Sequence, residues 1–69
     1  MTLNYNVEFV CDAMVVMTTV EVYPNQFADF ENEYDINYEI MQIANRQVKE
    51  NYGFHPFSFS YDYQIHELD

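Results

Sequence analysis

Sixty-nine residues carrying twelve acids, two bases and a net charge of −10 make one small domain that anionic membranes and nucleic acid repel and basic proteins attract. A lone cysteine, Cys11, excludes an intramolecular disulfide and a cysteine zinc site, and suits a reducing cytoplasm. Seven tyrosines, six phenylalanines and a single glycine exclude an acidic disordered tail, which lacks the aromatic material for a core.

A chain of this length buries roughly 60% of its unfolded surface, so its core is marginal. The most apolar stretch, residues 13–22, holds two threonines and a glutamate and falls short of the ~20 residues that span a bilayer. The first residues show neither the basic start nor the apolar run of a signal peptide. The expectation is a single soluble domain over residues 1–69, cytoplasmic.

Leu3, Tyr5, Val7, Phe9 and Cys11 alternate with Asn4, Asn6, Glu8 and Val10, the period of a half-buried strand. A second run rich in Val and Thr covers residues 14–23. A reversal at Asp12-Ala13 sets Phe9 opposite Val16, Val7 opposite Thr18, Tyr5 opposite Val20 and Leu3 opposite Val22, all on one face. A slip of one residue would scatter that set, so the register predicts a hairpin. Asp-Ala lacks the glycine favoured in two-residue turns, which leaves a four-residue loop open.

Pro24 ends the second strand, and Asn25 and Asp35 are candidate helix caps. Ile36, Ile40, Ile43, Ala44, Gln47, Val48 and Asn51 share one helical side, and Gly53 supplies the left-handed stop. The pattern leaves open whether residues 26–52 form one helix or two. After His55-Pro56, the residues Phe57, Phe59, Tyr61, Tyr63 and Ile65 alternate with Ser58, Ser60, Asp62, Gln64 and His66, predicting a third strand. The order β-β-α-β predicts an α+β fold: a three-stranded antiparallel sheet, spatial order 2-1-3, with one helix packed on one face. Its expected core is Leu3, Tyr5, Val7, Phe9, Val16, Val20, Val22, Phe57, Phe59, Tyr61, Ile40, Ile43 and Val48.

Catalytic and metal chemistries find no footing. Asp29, Glu31, Glu33 and Asp35 start like a calcium loop, but its sixth position is Tyr34 where glycine is required and its twelfth is Ile40 where a glutamate is required. With one glycine there is no phosphate-cradling loop. Cys11 falls on the inner face of the first strand, where a cysteine acts as a small hydrophobe. The aromatics of a nucleic-acid binder are present without its bases. The expectation is a protein that is not an enzyme, with no cofactor and no metal.

Two surfaces stand out. Asp29, Glu31, Glu33, Asp35 and Glu39 concentrate acid around the helix start, with Tyr34, Tyr38 and Met41 following at helical spacing. On the open sheet face Val10 pairs with Val15, with Met17 and Tyr23 nearby. The first surface predicts binding to a host protein with a basic, even nucleic-acid-binding, site: Asp29, Glu31, Glu33, Asp35 and Glu39 supply charge, and Tyr34 and Tyr38 act as anchors. The second predicts an alternative, a homo-oligomer formed through Val10, Val15, Met17 and Tyr23 or through the edge of the second strand. In size, acidity and β-β-α-β layout the chain resembles the small accessory and inhibitor proteins of bacteriophages, DNA mimics and anti-CRISPR or anti-restriction proteins among them. That resemblance carries no shared motif. It implies an inhibitor acting in the host cytoplasm.

Overall fold

The computed structural model describes residues 2–27 and 32–68, with backbone placement alone at positions 26, 27 and 34. Two long strands, β1 (Leu3–Cys11) and β2 (Met14–Val22), form the hairpin. A 3-10 turn at Pro24–Phe27 follows. The helix α1 covers Glu33–Tyr52, a second 3-10 turn Pro56–Ser58, and the last strand β3 Tyr61–Leu68. The sheet order is β2-β1-β3, and β1 is antiparallel to both neighbours.

The hairpin register is the expected one at every position, from Leu3 opposite Val22 to Cys11 opposite Met14. The turn is the two-residue form. Asp12 enters it at φ 53°, a left-handed conformation that aspartate tolerates better than most residues.

Two expected helix caps are replaced by a third. Asn25 sits inside the first 3-10 turn, and Asp35 is already within α1. Asn32 is the cap: its Oδ1 accepts from the Asp35 N–H at 3.0 Å, which satisfies one of the unpaired donors of the first turn. The 3-10 turn at Pro24–Phe27 and α1 are separate elements. At the far end Gly53 adopts φ 86°, its N–H returns to the Lys49 carbonyl at 3.0 Å, and Lys49 Nζ donates to the Gly53 carbonyl at 3.2 Å.

The third strand begins later than its alternation suggests. Phe57 and Phe59 lie before it, because β1 ends at Cys11, whose partner is Tyr61. Residues earlier than Tyr61 would have to pair with the hairpin turn. Their backbone donors go elsewhere: Ser58 N–H to the His55 carbonyl and Phe59 N–H to the Pro56 carbonyl, each at 3.0 Å, and Phe57 N–H to Asn45 Oδ1 at 3.0 Å.

Val7, Phe9, Cys11, Val16, Val20, Val22, Ile40, Met41, Ala44 and Val48 are the buried core, with Leu3, Tyr5, Ile36, Ile43, Phe54, Phe57, Tyr61 and Ile65 packed against it. Phe59 is not in it; it is 44% exposed and meets Phe54 edge-on at 5.9 Å. Asn51, on the expected apolar side of the helix, is exposed. Gln47 accepts from Thr18 Oγ1 at 2.8 Å, fastening α1 to β2.

The helix lies off-centre, closest to β2. Phe9 on the central strand is fully covered, while Tyr63 opposite it on β3 is 48% exposed. This offset leaves the inner face of β3 partly open beside the helix.

Candidate functional site

The acidic end of α1 is built by the cap. Asn32 fixes the first turn, and Glu33 and Asp35 follow within it, where the helix dipole favours negative charge. Both are exposed, and Glu39, one turn further on, is half-buried. Asp29 and Glu31 lie outside the described residues, as does the side chain of Tyr34. Tyr38 projects from the same half of the helix, 56% exposed.

Met41 does not share that surface. It is 4% exposed and belongs to the core, because it borders the stripe made by Ile40, Ala44 and Val48, and a core-facing helix buries an arc wide enough to include it.

What the structure brings to Tyr38 instead is the open flank of β3. Asn37, Tyr38, Met41, Phe57, Tyr61 and Tyr63 line a cleft of about 170 Å³. The Phe57 and Tyr61 rings stack at 5.3 Å with 21° between planes, and Tyr61 and Tyr63 lie 6.4 Å apart at 45°. Phe9 supports this row from below, edge-on to Phe57 at 6.3 Å and to Tyr61 at 5.8 Å. A shallower depression adjoins it, lined by Tyr38, Gln42, Asn45, Arg46 and Phe57. Sequence reasoning assigned Phe57 and Tyr61 to the core and gave Tyr63 no role at the surface. The alternation over residues 57–65 marks all three as inward-facing, and only the lateral offset of the helix makes that face a cleft.

On the open sheet face Val10 faces Val15 across the hairpin, and Met17 faces Glu8. Val15 and Met17 are exposed and Val10 is half-buried. Tyr23 is exposed too, but six residues beyond Met17, about 20 Å along an extended chain. Thr19 and Glu21 intervene, and Thr19 Oγ1 donates to Asn6 Oδ1 at 3.0 Å. The four residues therefore form two islands, not one patch.

Cys11 is buried on the inner face of β1. Burial, and then the neighbouring Asp12 carboxylate, push its thiol above the ordinary value of 9.0. Burial and Glu67 push Tyr5 above 10.0 in the same way. A raised pKa stabilises the fold fully below the unfolded value and loses that contribution as pH climbs from there through the folded value. Denaturant melts are therefore expected to show stability falling above about pH 9, and Cys11→Ala is expected to flatten the first part of that fall. At neutral pH the thiol is expected to react with a disulfide reagent only as fast as the protein opens, which a stopped reaction with and without denaturant measures.

Among the described residues no three His, Cys, Asp or Glu side chains are grouped to hold a metal ion, and no helix is long and apolar enough to cross a membrane. Fold and surface define a small α+β domain with an acidic helix end beside an aromatic cleft. Comparison with protein-family models, with curated proteins and with solved structures finds no match to this chain.

Proposed function

We propose that this chain is a binding protein that inhibits or modulates a host protein, presenting the N-terminal half of α1 to a basic site such as a nucleic-acid groove. The observation that carries this reading is the uncompensated pair Asp35 and Glu39. They are one helical turn apart, so their like charges repel. The dipole accounts for Glu33 and Asp35, but its influence fades within the first turn and does not reach Glu39. Residues three and four positions on are Ile36 and Asn37 for Glu33, and Gln42 and Ile43 for Glu39. Among the described residues neither base offsets them: Lys49 is bound to the Gly53 carbonyl, and Arg46 forms no ion pair. A charge arrangement that costs the isolated domain stability is explained by a partner that supplies the missing cations. The role fits a bacteriophage accessory protein acting in the host cytoplasm, where carboxylates would stand in for phosphates.

The test is affinity capture from the native cell, eluted with a salt gradient. The partner is expected to leave as salt rises, and to be lost when Glu33, Asp35 and Glu39 are together changed to lysine. A partner held equally in high salt, or retained by the reversed protein, sinks the reading.

A second reading, self-association, rests on the exposed Val15 and Met17 beside the free edge of β2. A net charge of −10 opposes it at low ionic strength. Sedimentation over protein and salt concentration decides: a monomer at every concentration removes it.

A further inference from the structure

We infer that the cleft between α1 and β3 receives a single arginine side chain of the basic partner, held between the tyrosine rings. The inference rests on the reading above and adds to it a place and a residue type.

Size comes first. A cavity of about 150 Å³ holds one benzene ring, so a cleft of about 170 Å³ admits one flat side chain and not a segment of backbone. Chemistry comes second. Among the described residues, three tyrosines and a phenylalanine line it with Asn37 and Met41, and the rings of Tyr38 and Tyr63 are about half exposed. Aromatic faces attract cations, and a guanidinium stacks on them better than an ammonium does because it is planar and more weakly hydrated.

Charge decides between a cation and a neutral ring. Among the described residues no charged side chain lines the cleft, and Arg46 borders the adjoining depression. Asp35, three positions before Tyr38, is its neighbour on the helix surface and puts a carboxylate beside the ring, and Glu39 adds charge one turn beyond Asp35. The whole chain carries −10. A phenylalanine would gain nothing from that field, whereas an arginine is drawn by it and can reach a carboxylate from the cleft.

Short glycine-serine peptides bearing one arginine, lysine, citrulline or phenylalanine test this by titration at low salt, followed in the aromatic and amide NMR spectra of the intact chain. The arginine peptide is expected to shift the Tyr38, Tyr61 and Tyr63 rings saturably, and to bind about threefold or more tightly than the lysine or citrulline peptide. Tyr38→Ala and Tyr63→Ala, both at exposed positions, are expected to remove that preference while the amide spectrum stays folded. Asp35→Asn with Glu39→Gln is expected to weaken the arginine and lysine peptides alike. The inference is overturned if the rings stay silent up to millimolar arginine peptide, if citrulline binds equally, or if phenylalanine is preferred. Arginine and lysine binding equally at Asp35 and Glu39 with silent rings would overturn the cleft and leave the acidic-surface reading standing. Salt-insensitive capture of the native partner would overturn that reading independently.

Discussion

Phe9→Ala is expected to strip the chain of a large share of its stability and to lower its urea midpoint sharply. Phe9 is fully buried on the central strand, two residues before its end, opposite Val16 on one side and Tyr63 on the other. Its ring meets both Phe57 and Tyr61 edge-on. Truncating such a ring costs about 3–5 kcal/mol. At about 0.05–0.15 kcal/mol per residue, a chain of this length has roughly 3–10 kcal/mol to lose. Urea melts followed by far-UV circular dichroism measure the loss. Phe9→Leu, which keeps most of the volume, is expected to stay folded at a cost of about 1–2 kcal/mol. Because Phe9 lies under the rings of the cleft, the leucine variant is also expected to move the Phe57 and Tyr61 ring signals. A Phe9→Ala protein melting within a few degrees of the parent would show that this ring is not the keystone of the core.

That dependence on one ring explains what the sequence could and could not reveal. The hairpin was legible to the residue because both strands have a single inward face, and only one register aligns Leu3, Tyr5, Val7 and Phe9 with Val22, Val20, Thr18 and Val16. The strand order followed from the chain path: a third strand antiparallel to β1 makes the helix a right-handed crossover from β2 to a strand parallel to it. The start of β3 was not legible. Phe57 and Phe59 continue the alternation without a break, and what stops the ladder is the end of β1 at Cys11, a fact about the partner strand. The helix cap was ambiguous because Asn25, Asn32 and Asp35 all offer suitable side chains, and local pattern alone does not rank them. Met41 was assigned to the surface because it stands one position beside the apolar stripe. The lateral position of α1 buries it, and the same displacement opens the cleft over Tyr61 and Tyr63. Acidic residues could be found by counting; the aromatic hollow beside them depends on where a helix rests on a sheet.

Asn45→Ala is expected to cost about 1–3 kcal/mol and to disorder the wall of that hollow. One amide ties α1 to the turn that carries Phe57. Its Oδ1 accepts from the Phe57 N–H at 3.0 Å, and its Nδ2 lies 3.2 Å from His55 Nδ1. The backbone donor fixes which way the amide faces, so Nδ2 must be the donor to His55 and the Nδ1 atom must accept, with the imidazole proton on Nε2. Alanine removes both bonds and leaves a half-buried N–H without its acceptor. Asn45→Asp keeps an acceptor for Phe57 and loses only the bond to His55, so it is expected to retain most of the stability. The decisive comparison is the Phe57 amide, read by hydrogen exchange. Its protection is expected to fall sharply in the alanine variant and to persist in the aspartate variant. Equal protection in all three proteins would mean that the Pro56–Ser58 turn holds its place without the amide, by packing of Pro56 and Phe57 alone. The stability loss would then track buried apolar area and leave Asn45 no positioning role at the cleft.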